Sequence, residues 1–246
     1  MSLEFKPVNQ HDLPRQIADR IRAAITDGTL GVDDRLPTEE ELARRFDVSR
    51  PTIREALKRL AAQNLIRSRR GPTGGTFINQ PDIMEMGQDL GSATRMLAAL
   101  DSFSLEEIIQ CRLELEQLCV SLAASNCKAA DLEAMQAALA DQRAALSQPE
   151  SFCAADVAYH RALANATGNR LLAFLMYAVI EALQPVSNMV VFRYPERDLI
   201  IRQHEALLDA LSAGNTATAQ ELIQAQIDTL SEQLQRARSE SRRRRT

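Results

Sequence analysis

The sequence predicts a mainly α chain in two parts. The N-terminal part is a winged helix-turn-helix, α with a small β-hairpin wing, and the C-terminal part is an all-α helical bundle. Three observations predict it. Between Arg35 and Asn79 two capped amphipathic segments precede two short apolar runs joined by a glycine-rich tip. From about residue 104 to 236 apolar residues recur at helical spacing, with no convincing alternating strand. The 246 residues, 45% of them hydrophobic, suffice for two cores, of about 80 and about 150 residues.

Taken in order, Leu13 to Thr26 is an amphipathic first helix. Thr38 with Glu41 three residues on is a capping box, so a second helix starts there and runs to about Phe46. Asp47-Val48 is a turn. Ser49 caps a third helix, with Pro51 tolerated in its first turn. On that helix Ile53, Ala56, Leu57 and Leu60 share one face, and Arg50, Arg54 and Lys58 form an adjacent solvent stripe. Leu65 to Arg69 and Gly75 to Ile78 read as strands around a Gly71-Pro72-Thr73-Gly74 tip. This first domain is expected over 1–78.

A linker with Pro81 and Gly87 follows over 79–90, and a short helix is expected over 88–100. Ser104 and Glu107 form a second capping box, starting a helix to about Cys127. Further helices are expected over 130–147, 151–166, 169–190, 196–213 and 216–236, with Gly168 and Gly214 at helix ends. Together they make a bundle over 91–236, with apolar rows such as Leu113, Leu118 and Leu122 in its core. The final stretch holds six arginines between Arg236 and Arg245, and 237–246 is expected to be a disordered basic tail.

Charge placement assigns a function to the first part. Ser49 to Arg70 carries seven Lys/Arg and one acid, although the whole chain is net −4. Residues 81–235 hold nine Lys/Arg against 21 Asp/Glu, a net of −12. Basic charge confined to a helix and a wing is what phosphate binding requires. Double-stranded DNA is the expected partner. No apolar run reaches the ~18 residues of a membrane span, the richest being interrupted by Glu181. The N-terminal MSLEFKPVNQ resembles no signal or transit peptide, which places the protein in the cytoplasm. Cys111, Cys119 and Cys127 recur every eight residues on one helix, too far apart to share a zinc ion or a disulfide. With Cys153 they are expected to be core or half-buried thiols.

The run LPTEEELARRFDVSRPTIREALKRLAAQNLI followed by GPTGGTFI resembles the DNA-binding signature of the GntR family of bacterial transcription regulators. By that resemblance Ser49 and Thr52 would bond phosphates, Arg50 and Arg54 would reach guanine edges or phosphates, and Arg70 and Gly71 would enter the minor groove. Glu40 stands where many relatives carry a phosphate-binding arginine, and would repel DNA unless it pairs with a neighbour such as Arg44. The resemblance also implies a homodimer on a palindromic operator, usually as a repressor.

Asp156 and His160 stand at i, i+4 and project from one helix face, where they can share an ion or simply hydrogen-bond. His204 sits among Ile200, Ile201 and Leu207, so it could face a bundle interior. The segments DVAYHRALANATGNRLL and HEALLDALSAGNTATAQELIQAQ resemble the FCD domain of the FadR branch of that family. In many FCD domains an Asp and three His hold a divalent metal beneath a pocket for a small carboxylate. The matching residues are Asp156, His160 and His204, and Gln226 stands at the fourth position. Zinc, nickel and manganese all suit such ligands. Arg112 matches the arginine that grips the effector carboxylate, and Asn169 matches a pocket asparagine. The plain alternatives are an Arg112–Glu116 salt bridge and a helix cap at Asn169. Two other functions compete: a metal-free regulator sensing acyl-CoA or another metabolite, and a helical metalloenzyme. No hydrolase or oxygenase signature accompanies the metal-type residues.

Overall fold

The computed structural model describes residues 12–71, 74–80, 82–194 and 196–243. The backbone falls into two units, residues 1–82 and 83–246.

In the first unit α1 is Leu13–Thr26, α2 is Glu39–Phe46 and α3 is Arg50–Ala62. The Thr38 hydroxyl accepts from the Glu41 amide at 3.2 Å while the Glu41 carboxylate accepts from the Thr38 amide at 2.8 Å, so both orphan donors are satisfied. Asp47 ends α2 in the left-handed conformation. The three helices bury Ile17, Ile21, Leu42, Phe46, Ile53 and Leu60 against one another. Each such side chain contributes about 1.5–3 kcal/mol of burial. Strand β1, Ile66–Arg69, pairs antiparallel with β2, Gly75–Ile78, in the register Ile66↔Ile78 and Arg69↔Gly75. A Cβ on Gly74 would lie 2.5 Å from the Arg69 carbonyl, so the wing turn needs glycine there. Sequence alone missed a third strip: the Leu36 amide donates to the Thr76 carbonyl at 2.8 Å and the Ile78 amide to the Asp34 carbonyl at 2.9 Å, backing the wing onto residues 33–36. Pro72 and Thr73 at the wing tip lie outside the described residues.

The second unit holds α4 (Ile83–Ala99), α5 (Leu105–Asn126), α6 (Ala129–Ala144), α7 (Pro149–Ala166), α8 (Arg170–Arg193), α9 (Arg197–Ser212) and α10 (Thr216–Arg243). The linker expected over 79–90 is shorter, because α4 already begins at Ile83. Gly87 does not break it but lets it approach α8: a Cβ there would lie 3.0 Å from the Tyr177 ring, and one on Gly91 would lie 2.6 Å from Glu181 Cγ. Glu181 then accepts from Arg95 at 2.9 Å and from Arg161 at 2.5 Å, joining α4, α8 and α7. Gly91→Val should lower the unfolding free energy by at least about 1 kcal/mol through overpacking, read as a reduced urea midpoint.

Three further expectations are corrected. Of the row Leu113, Leu118, Leu122, the first and last are half-buried against the core as expected, but Leu118 is 48% exposed. The buried face is Ile108, Arg112, Glu116, Cys119 and Ala123, which spends a helix face on polar groups. The segment expected as a disordered tail is helical as far as Arg243, because Leu234 and Ala237 pack against Val190 and Tyr194 and carry α10 onward. Residues 244–246 lie outside the described residues. Cys119 and Cys153 are buried and Cys127 half-buried as expected, but Cys111 is exposed; all four are free thiols. Burial raises the Cys119 thiol to about 12 and the Cys153 thiol to about 11, leaving both inert.

By length and composition α8 is apolar enough to cross a membrane. It lies instead inside the bundle, burying Leu172, Met176, Tyr177, Ile180, Leu183 and Val190. Its internal Pro185 cannot donate to the carbonyl of Glu181.

Candidate functional site

The start of α3 gathers the hydroxyl and arginine side chains expected at a DNA interface. Ser49 Oγ caps the helix, receiving the Thr52 amide at 3.4 Å, and the two hydroxyls lie 2.7 Å apart. Arg50 and Arg54 are exposed one turn apart. Arg54 Nε donates to Glu39 at 2.8 Å and Arg50 lies 3.9 Å from the same carboxylate. The acid that organises this edge is therefore Glu39, not Glu40. Among the described residues no ion pair joins Glu40 to Arg44. Arg70 and Gly71 are exposed at the wing, with Gly71 at a φ of 110°.

The second unit buries a connected polar cluster. Arg112 and Glu116 sit one turn apart on α5, and Arg112 Nε lies 3.2 Å from Glu116 Oε1. His160 on α7 places Nδ1 2.7 Å from the same oxygen. Arg112 Nη2 donates to His160 Nε2 at 2.9 Å. A guanidinium can only donate, so Nε2 is the accepting nitrogen and the ring proton lies on Nδ1, toward Glu116. Burial works to raise the Glu116 carboxyl, but Arg112 and His160 outweigh it and hold it down at about 2.

A second chain of contacts runs through His204 on α9. Its Nδ1 lies 2.8 Å from Gln142 Oε1, and Gln142 Nε2 donates to Asp156 Oδ1 at 3.0 Å. Tyr159 stacks on the His204 ring at 4.0 Å and donates its hydroxyl to the His204 carbonyl at 2.7 Å. Burial, with His160 nearby, pushes the His204 pKa well below its ordinary value, so the ring is neutral.

The structure brings Asp156, His160 and His204 together: one ligand-type atom from each lies within 4.8 Å of the others. These three, with Arg112 and Gln226, line a cavity of about 60 Å³ whose remaining wall comes from α8, α9 and α10. Both amide atoms of Gln226 are buried there without a hydrogen-bond partner among the described residues. An unpaired buried amide costs about 1–3 kcal/mol, so something polar belongs opposite it. Asn169 is not part of this wall. Its side chain accepts from the amides of Leu171 and Leu172, both at 3.1 Å, and caps α8, as its plain alternative had it. Arg112 makes the Glu116 pair of its plain alternative and also lines the cavity. Sequence reasoning missed Gln142, whose role depends on a contact between helices 62 residues apart.

Residues 13–78 match the bacterial regulatory proteins of the gntR family, and residues 107–229 match the FCD domain. HTH-type transcriptional regulator LutR of Bacillus subtilis (strain 168) is 31% identical over 215 residues, covering 85% of this chain and 95% of LutR. HTH-type transcriptional repressor NanR of Citrobacter rodentium (strain ICC168) is 27% identical over 232 residues, 94% of this chain and 88% of NanR. Among solved structures, Streptococcus agalactiae GntR is similar with a TM-score of 0.55 and 25% identity, covering 88% of this chain and 98% of that one. The winged first unit, the helical second unit and these matches agree: the chain belongs to the GntR family, as a DNA-binding transcriptional regulator with an FCD domain rather than an enzyme.

Proposed function

We propose that this regulator binds a palindromic operator as a homodimer, represses transcription, and is released by a small carboxylate bound in the cavity of the helical unit. The observation that carries this reading is Arg112, a buried guanidinium facing a cavity that also gathers Asp156, His160 and His204. A guanidinium stays charged and grips both oxygens of a carboxylate. The cavity, about 60 Å³, accommodates a handful of water-sized groups, the bulk of a short carboxylate and not of an acyl-CoA.

The same residues fit a divalent ion. Two imidazoles and a carboxylate are an ordinary donor set for zinc, nickel or manganese. Three donors each about 2.1 Å from one ion cannot all lie more than ~3.6 Å apart, so the trio, now within 4.8 Å, closes by up to about an ångström to hold an ion. When bound, the ion supplies a second positive anchor for a carboxylate oxygen. Arg112 must give up His160 Nε2 for that nitrogen to become a ligand, which turns the guanidinium toward the effector. The orphaned Gln226 amide faces the same space, offering one donor and one acceptor to the effector.

On the DNA side, Ser49, Arg50, Thr52 and Arg54 at the start of α3 would contact the operator, with Arg70 and Gly71 at the wing. A two-fold operator needs two copies, and the apolar side chains left exposed on α4, Met96 and Leu97, and on α8, Leu171 and Leu175, fit burial against a second copy. The effector would act by population shift, binding the DNA-incompetent arrangement more tightly. The protein would work in the cytoplasm, where its operator is.

The reading is tested with operator DNA and a panel of short carboxylates, with Arg112→Met as control. One carboxylate should weaken operator binding at least tenfold in the wild type and leave Arg112→Met unaffected. If every active carboxylate works equally on Arg112→Met, the cavity is not the effector site.

A further inference from the structure

Gln142 is fully buried on α6, and its amide hydrogen-bonds both Asp156 and His204. The direction of each contact follows from donor and acceptor inventory. A carboxylate oxygen accepts, so the group facing Asp156 Oδ1 must be the amide nitrogen, at 3.0 Å. The amide oxygen then faces His204 Nδ1 at 2.8 Å, and an oxygen without a proton requires that Nδ1 carry one. In a neutral ring the other nitrogen is then bare. That nitrogen, Nε2, lies 3.8 Å from Asp156 Oδ1, too far for a hydrogen bond, and His204 lines the cavity with Asp156 and His160. Tyr159 fixes the plane of the ring by stacking within 9° of parallel. Stacking leaves open which nitrogen holds the proton. Without the amide, Asp156 is the nearest acceptor, and it would draw the proton to Nε2, closing that nitrogen to any ion.

We propose that Gln142 is the positioning residue of this site: its amide fixes His204 as the Nδ1–H tautomer and thereby leaves Nε2 open to an electrophile in the cavity. The inference rests on the cavity reading above and names what makes one of its three donors available. Partners that orient a metal-binding imidazole in this way are worth roughly 10–100-fold in metal affinity.

The chain has three histidines, so ¹⁵N-imidazole spectra of the chelator-stripped full-length protein are simple enough to assign the tautomer of His204. The wild type should show the Nδ1–H form, and Gln142→Met, which keeps the volume, should populate the Nε2–H form. Nickel titrated into the two proteins should bind Gln142→Met 10–100-fold more weakly, while its unliganded melting temperature stays within a few degrees of wild type. A merely space-filling amide would move none of the spectra. An Nε2–H tautomer in the wild type overturns the inference even if the variant fails to fold. So does an unchanged tautomer and unchanged nickel affinity in Gln142→Met. If the wild type binds no nickel, the metal reading fails, while the tautomer comparison still decides the role of Gln142.

Discussion

Glu116→Ala is expected to lower the unfolding free energy of the helical unit by roughly 3–5 kcal/mol. Glu116 is 1% exposed and Arg112 7% exposed, so the substitution leaves a guanidinium in the bundle interior without its paired carboxylate. The hydrogen bond to His160 Nε2 would remain, and it returns a fraction of the lost solvation. The measurement is convenient because the chain has no tryptophan and three tyrosines, Tyr159, Tyr177 and Tyr194, all in the helical unit. Urea unfolding followed by tyrosine fluorescence therefore reports on that unit alone. The double variant Arg112→Met with Glu116→Leu should recover most of the loss, because apolar groups of similar volume replace a buried pair at little cost. If Glu116→Ala unfolds at the wild-type midpoint, the pair is not the buried electrostatic unit described here, and Arg112 has solvent access that the cavity reading denies it.

Arg54→Ala is expected to weaken operator binding by about 1–3 kcal/mol, between fivefold and 150-fold. Arg54 is held by Glu39 through Nε while its side chain stays 57% exposed, so the two terminal nitrogens of the fork can still serve a base or a phosphate. Titrating wild type and variant against the operator and against single-base variants separates two roles. Loss confined to the cognate base pair marks a base contact. A uniform loss with a shallower salt dependence marks a phosphate contact. Unchanged affinity on every sequence would remove Arg54 from the interface.

The sequence was most legible where local chemistry decides the backbone. The Thr38–Glu41 and Ser104–Glu107 boxes start their helices as expected, because each is complete within four residues. The start of α4 was not legible: Gly87 reads locally as a linker residue, and only the approach of Tyr177, ninety residues later, gives it a packing role. The face of α5 was only partly legible for a related reason. A leucine row predicts a core, but here Arg112 and Glu116 take the buried face because partners on α7 and the cavity meet them there. Of the candidate site, Asp156 and His160 were legible from spacing, and His204 and Arg112 from family resemblance. Gln142 carried no local signal at all, since a glutamine mid-helix is ordinary until two other helices supply its partners. Beside the expected DNA contacts Glu40 drew attention by its departure from the family pattern, while the acid that holds Arg54 is its neighbour Glu39.

In the proposed regulator Asp156, His160 and His204 form one divalent-ion site beside Arg112. Titrating zinc or nickel into chelator-stripped full-length protein by calorimetry tests it most directly, with His204→Ala alongside. One ion per chain is expected in the wild type, with at least hundredfold weaker binding in His204→Ala. No binding to the wild type, or equal binding to the variant, would contradict it.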